Sequence, residues 1–427
     1  MELDIKMALH LPKYKKQTLE HALGKYMRPK FIYIPLISGG DTNITELVQK
    51  GDYVNKGSIV ARRKGTFKIP LVSSVSGTVV GFEEHLCYTG QKVKCIKIEN
   101  DFKDSELNVK KARKLANISK KHFIELIQEK GIIGMGGAGF PTYAKYDSKR
   151  KINTLIVNAI ECEPYITADQ MLALSFSEEI LEAIDAILEI NEIEEAYIAV
   201  KKTNTSLIDE LNNHIGTYPK IKLALLDDMY PMGWERLIVK RIIKEDYDRL
   251  PIELGVVINN ISTIYAIYSA LKYNRALTER TVTFAGDMLK VPQNVVVKIG
   301  TPVKEVIESI EGLKKGKDYV FVAGGPMMGQ AIPSDDLIIT PNMNCVLILK
   351  KSEEVELPCI RCGKCVAGCP ALLSPVLIKD NINNIEELKK LHPEKCIECG
   401  ACSYICPSGI KVREYVKLAK EKIKEVK

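Results

Sequence analysis

Short apolar runs broken by glycine fill the stretch from residue 31 to about residue 100. FIYIPLI at 31–37, GDYVNKGSIV at 51–60 and VSGTVV at 75–80 alternate apolar positions with turn residues, a period-two pattern that predicts strands and tight turns. A polar, lysine-rich connector around residues 101–118 then marks a boundary. In SKKHFIELIQEK, apolar Phe123, Ile124 and Ile127 suit a short amphipathic helix. TLIVNAI is a continuous apolar run of the kind carried by a strand buried on both faces. SEEILEAIDAILEI and KTNTSLIDELNNHI read as helices, AYIAV and KLALL as strands. Strands alternating with helices over 119–275 predict an α/β layer with a mostly parallel sheet. From Arg280 the pattern changes again. TVTFAGD, NVVVKIG and DYVFVAGG surround one helix, VKEVIESI, and predict a small β-grasp-like module over 278–345. A last region, 352–427, holds the predicted helix NIEELKK between two cysteine-rich runs.

Composition narrows the class. A chain of 427 residues suggests about three or four modules. Hydrophobic content of 46% and charged content of 27% are ordinary for a soluble globular protein. No run of eighteen uncharged apolar residues is present, and the N-terminus carries no apolar core of signal-peptide length. Twelve cysteines without a secretion signal predict a reducing, cytoplasmic setting in which thiolates bind metal. The net charge of +7 is spread along the chain with Lys and Glu interleaved. Such a surface is simply solvated, or it suits an acidic redox partner or anionic lipid headgroups. No nucleic-acid motif accompanies it.

The cysteines carry the chemistry. Cys359-x-x-Cys362-x-x-Cys365-x-x-x-Cys369-Pro370 is followed by Cys396-x-x-Cys399-x-x-Cys402-x-x-x-Cys406-Pro407. Two such runs, each closed by Cys-Pro, match the bacterial ferredoxin spacing for two [4Fe–4S] clusters. Three thiolates on a tight loop reach three irons of one cubane, and in two-cluster ferredoxins the fourth cysteine serves the other cluster. The assignment is Cys359, Cys362, Cys365 and Cys406 for one cluster, and Cys396, Cys399, Cys402 and Cys369 for the other. Four cysteines also suit zinc, but zinc needs neither a third Cys-x-x-Cys step nor the Cys-Pro ending.

A second signal is Gly134-Met135-Gly136-Gly137-Ala138-Gly139-Phe140. Gly134, Gly136 and Gly139 satisfy G-x-G-x-x-G, yet the loop follows a helix and precedes the first strand, the wrong context for a dinucleotide fingerprint. Glycine at four of six positions still lets backbone amides approach a phosphate or a flat ring.

On these residues the chain resembles known families. GxGGAGFPT with Lys145, the run Asn158-Ala159-Ile160-Glu161-Cys162-Glu163-Pro164, and Asn259-Asn260-Ile261-Ser262-Thr263 resemble the flavin subunit of respiratory complex I. That resemblance implies FMN contacts at the glycines, including Gly137, and at Lys145, Asn158, Asn259, Asn260 and Thr263. It implies nicotinamide stacking at Phe140, and places Glu161 and Glu163 at the nucleotide site, with Glu163 touching NADH. Met135 and Ile160 replace an arginine and an acidic residue of that family. The first hundred residues resemble the hammerhead sandwich of biotinyl and lipoyl carriers. Ser73-Ser74-Val75 stands where the carrier lysine would be, so a structural sandwich is expected and not a swinging arm. The whole domain order is similar to the C subunit of Rnf electron-transport complexes. It comprises a hammerhead sandwich (1–105), a Rossmann-like α/β FMN/NADH domain (119–275), an SLBB-like β-grasp module (278–345) and a 2[4Fe–4S] ferredoxin-like domain (352–427). EPYITAD at 163–169, GGPMMG at 324–329, and His10-Leu11-Pro12 with Lys15 and Thr18 carry that likeness, while Ile37–Thr42 departs from it.

The resemblance implies electrons passing between NAD(H), FMN and two clusters, in either direction. Its partners would be other Rnf-type subunits and ferredoxin or another redox protein, on the cytoplasmic face of a membrane touched only indirectly. Two alternatives stay open: a soluble relative feeding a cytosolic reductase such as proline reductase, which a chain ending at Lys427 suits, and a non-catalytic electron wire that binds no nucleotide. Among the other cysteines, Cys87, Cys95 and Cys345 read as small core residues. Negative neighbours at Cys162 argue against a nucleophile. Trp234 either lines the nucleotide cleft or packs.

Overall fold

Each apolar run of the first hundred residues becomes a strand in the computed structural model, which describes residues 9–106, 115, 118–316, 318–351 and 355–426. One sheet has the order Phe31–Pro35, Lys92–Asn100, Gly77–Leu86, Tyr53–Val54; a second has the order Ile44–Glu46, Ile59–Arg63, Ile69–Val72. Alternation along the strands puts Ile32, Ile34, Val60, Val79, Ile96 and Ile98 in one shared core. The tip at Ser73–Val75 is buried. Ser74 Oγ donates to the Ile299 carbonyl at 2.5 Å, and Lys298 Nζ reaches the Ser74 carbonyl. A tip fastened in this way cannot swing. Cys87, Cys95 and Cys345 are fully buried, as small core residues would be.

The α/β layer is a parallel sheet in the order Ile221–Leu226, Glu195–Lys201, Thr154–Asn158, Val256–Asn260. Thr154–Asn158 has a strand on either side and helices over its faces, which explains its unbroken apolar run. Strand addition reverses direction between Thr154–Asn158 and Val256–Asn260. The carboxyl ends of those two strands therefore flank the crevice where an open α/β sheet binds ligands.

One strand lies where the sequence reading did not put it. Gly24–Tyr26, inside the stretch expected for the sandwich, pairs in parallel with Gln293–Lys298 at the edge of a six-stranded sheet. That sheet continues through Glu279–Ala285, Cys345–Lys350, Tyr319–Ala323 and Gln330–Ile332. Its strand Cys345–Lys350 runs past the expected boundary at residue 345, because the apolar run CVLILK continues to Lys350. The expected connector lies largely, and the expected domain start at Ser352 wholly, outside the described residues.

In the last domain the two cysteine runs fold alike. Arg361 and Glu398, Gly363 and Gly400, and Leu372 and Gly409 are paired at one interval, and all have positive φ. Helix Val412–Glu425 lays Val416, Ala419 and Ile423 across both halves. An N-terminal strap ties the domains together. Leu9 bridges to Tyr230, Lys13 O accepts from Tyr165 N at 2.9 Å, and Lys15 Nζ donates to Glu161 O at 2.7 Å.

Candidate functional site

Asn158 and Asn260 end neighbouring parallel strands and are register partners. Asn158 accepts from Ile160 N at 2.9 Å and donates to Gly233 O at 3.1 Å. Asn260 caps helix Ile261–Tyr273 by accepting from Ser262 N at 2.9 Å, and donates to Asp169 at 2.5 Å. Asn259, one residue earlier, is buried and donates to the Tyr146 hydroxyl at 2.5 Å. Lys145 Nζ donates to Ile258 O at 2.6 Å in the same strand.

The glycine loop is fastened over these strand ends. Met135 N donates to Thr263 Oγ1 at 2.9 Å, which ties the loop to the first turn of the helix that Asn260 caps. A Cβ on Gly136 would come within 3.3 Å of the Asn260 side chain, and one on Gly139 within 3.2 Å of Gly39. The divergent turn Ile37–Thr42 thus packs against the loop. Gly137 differs: its φ is +122° and nothing lies within 4 Å of where a Cβ would stand, while its carbonyl accepts from Asn342 at 2.8 Å. Phe140 is 37% exposed and meets Phe67 edge-on at 5.0 Å. Predicted residues far apart in sequence are thus gathered into one cradle. An open glycine position beside a helix N-terminus suits a flat ring carrying a phosphate.

Glu161 and Glu163 each hold backbone amides. Glu161 accepts from Asp169 N at 2.9 Å and Gln170 N at 3.1 Å, capping helix Ala168–Ser175. Glu163 accepts from Met327 N at 2.8 Å and Met328 N at 3.0 Å, holding the GGPMMG loop. Burial pushes the Glu163 carboxyl up to about 7 against these two amides, and it pushes Glu161 up against the pull of Lys15. The Cys162 thiol rises to about 11, chiefly through burial, with Glu163 adding to it. It stays protonated as the sequence suggests, but loss of water outweighs the negative neighbours. Trp234 packs against the cluster that contains Ile156 and Ile160.

The Glu163 shift sets a pH dependence. The folded value lies above the ordinary glutamate value of 4.5. The resulting stability is intact below about 4.5 and lost as pH climbs through about 7. The melting temperature of the wild-type chain should therefore fall more steeply between pH 5 and 8 than that of Glu163→Gln. Parallel curves would remove Glu163 from this role.

The cysteines line two cavities. One is walled by Cys359, Cys362, Cys365 and Cys406, the other by Cys369, Cys396, Cys399 and Cys402. Each set draws its fourth thiol from the other run. Among the described residues no three His, Cys, Asp or Glu side chains stand close enough to hold a single metal ion. Four thiols around each cavity, the fourth carried over from the other run, follow the pattern of a two-cluster ferredoxin.

Sequence reasoning passed over Asp169, which is 5% exposed and accepts from both Asn260 and Ser262 side chains at 2.5 Å. It stood in the EPYITAD run, but nothing there pointed to this contact. Asn342, which holds Gly137, had no signal at all.

Comparison with known proteins accords with this layout. Residues 3–103 match the RnfC barrel sandwich hybrid domain, 127–269 the Nuo51 FMN-binding domain and 358–410 the 4Fe-4S dicluster domain. The chain is 32% identical to the C subunit of the Na(+)-translocating ferredoxin:NAD(+) oxidoreductase complex of Acetobacterium woodii, over 88% of this chain and 86% of that protein. It is 31% identical to the C subunit of the proton-translocating ferredoxin:NAD(+) oxidoreductase complex of Clostridium ljungdahlii, over 87% of this chain and 82% of that one. An NAD+-reducing [NiFe]-hydrogenase in the H2-reduced state shares the fold at 15% identity, with a TM-score of 0.51 over 74% of this chain and 65% of that chain, just under two thirds of its length. The chain belongs to the family of C subunits of ion-translocating Rnf-type oxidoreductase complexes.

Proposed function

We propose that this chain carries electrons between NAD(H), FMN and two [4Fe–4S] clusters as the C subunit of an Rnf-type complex. The observation that carries the reading is the cradle itself: a glycine loop with one open position, set over Asn158 and Asn260 at the strand ends where the parallel sheet reverses its order. The order of that sheet supports a Rossmann-like reading of the domain. The parallel pairing of Glu279–Ala285 with Cys345–Lys350, each flanked by an antiparallel neighbour, supports an SLBB-like β-grasp reading of the module after it.

When bound, FMN would supply the exchange between a two-electron hydride and single electrons. The chain's own residues hold and shield. The loop amides and the N-terminus of helix Ile261–Tyr273 would hold a phosphate. The bare Gly137 leaves room for the ring, and Phe140 offers a partly exposed aromatic face for a stacked nicotinamide. No general acid or base is required, because hydride transfer between stacked rings needs alignment and exclusion of water. Glu163 holds the GGPMMG loop through two backbone amides, so its influence on NADH would act through that loop.

Among the described residues no helix is long and apolar enough to cross a membrane. Attachment at the cytoplasmic face would run through the other subunits, and ferredoxin or another one-electron protein would be the distant partner. The test is an anaerobic titration with NADH of the chain reconstituted with FMN, iron and sulfide. Bleaching of both flavin bands and cluster absorbance is expected. Clusters that respond to dithionite but not to NADH would overturn the reading.

A further inference from the structure

The two cysteine runs have the same spacing, yet the fold treats them differently. Cys399 and Cys402 are 7% and 8% exposed, whereas Cys359 and Cys362 lie at the surface. Cys399 and Ala401 pack in one apolar layer with Tyr230 and Met327, and Cys162, four residues past Asn158, packs against that layer. Tyr230 is 2% exposed, and its hydroxyl donates to the Cys399 carbonyl at 2.5 Å. Gly400 fits so tightly against Met327 that a Cβ would stand 2.4 Å from its carbonyl oxygen. Arg413, which lines the same cavity, donates to that oxygen at 2.6 Å. Lys420 donates to the Cys396 carbonyl at 2.9 Å. From Asn158 a chain of contacts leads inward. Its amide holds Gly233, whose own Cβ would lie 3.1 Å from Cys162 Sγ, and Tyr230 is three residues away.

Both cavities are lined by the cluster domain's own residues, but the layer with Tyr230 and Met327 packs on Cys399 and Ala401 of one, while the other is lined by 359–365, Val376, Lys379 and the segment that carries Cys406. Beside it Val355, Leu357 and Ile360 are 75%, 59% and 67% exposed.

We propose that the clusters work in a fixed order, with the Cys369/Cys396/Cys399/Cys402 cluster facing the flavin domain and the Cys359/Cys362/Cys365/Cys406 cluster facing the outside, and that Tyr230 positions the inner one. The inference rests on the electron-transfer reading above. Each NADH becomes NAD+ and releases one proton to water and two electrons. With the clusters bound, Cys369, Cys396, Cys399 and Cys402 would hold the one that takes each electron first, and Cys359, Cys362, Cys365 and Cys406 the one that passes it on to a one-electron acceptor protein. Donors at the Cys396 and Cys399 carbonyls, with Arg413 alongside, favour the added negative charge on the inner cluster. In the reverse direction the order is inverted.

The test uses the reconstituted chain with both clusters. A water-soluble ferrous chelator is added after dithionite reduction, and freed thiols are alkylated and mapped. The expected result is two phases of iron loss, with Cys359, Cys362, Cys365 and Cys406 labelled first. Labelling of the other four first, or of all eight together, would overturn the order. Tyr230→Phe keeps the ring and removes the hydroxyl. Iron content should stay at the wild-type level, the potential of the slowly released cluster should become more negative, and its reduction by NADH should slow several-fold while dithionite reduction is unchanged. Unchanged potentials would retire Tyr230. Failure of wild-type protein to take electrons from NADH would defeat the electron-transfer reading alone, because the labelling order and the potentials are read without NADH.

Discussion

Gly137→Val should strip the flavin while leaving the iron in place. The position has φ +122°, a conformation that a β-branched residue adopts only under strain of order 1–3 kcal/mol. The new side chain would also project into the one opening in the loop, where nothing lies within 4 Å. Strain alone predicts flavin binding weaker by about tenfold to a hundredfold, at about 1.4 kcal/mol per tenfold, and the bulk adds to this. The loop is fastened from both sides, by Thr263 at Met135 and by Asn342 at Gly137 itself. Damage should therefore stay local and spare the cysteines. The check is flavin fluorescence and iron content on the same preparation. Retained flavin would place the ring elsewhere, and joint loss of flavin and iron would indicate general misfolding. Gly136→Ala should do less, since its Cβ would meet the Asn260 side chain at 3.3 Å and a shift of a few tenths of an ångström relieves it.

The parts that were legible beforehand share a physical reason: they are local. An unbroken apolar run such as TLIVNAI is what a strand between two strands and two helix layers must be, and it folds so. The cysteine quartets were readable because cubane geometry dictates the spacing within each run. Asn158 and Asn260 were named through a resemblance, and their pairing follows from the sheet register.

What stayed hidden depends on partners distant in the chain. Gly24–Tyr26 has three residues, too few for any period, and its partner strand begins at Gln293. Glu163 and Glu161 were named through a resemblance, which carries no sign of their partners within the chain. Only the tertiary structure shows that one holds the loop at Met327 and the other caps a helix. Two runs of the same spacing also carry no sign of which will be covered. Packing against Tyr230 and Met327 decides it.

That asymmetry makes the second large effect informative. Cys362→Ser should lower iron by about half, because serine is a poor replacement for a thiolate and one of two clusters loses a ligand. Cys362 is exposed, so the fold should be nearly untouched. Cys402→Ser should cost the same half of the iron and more besides. Cys402 lies in the core with Leu388, Val412 and Val416, and a hydroxyl left without a partner there costs about 1–3 kcal/mol. Melting temperature should separate the two variants even though their iron contents agree. Electron entry should separate them further. With the outer cluster gone, NADH should still bleach the remaining cluster. With the inner one gone, dithionite should reduce what is left and NADH should reach it slowly or not at all. Equal response of both variants to NADH would mean that the flavin addresses either cluster directly, and the burial of Cys399 and Cys402 would then serve domain packing alone.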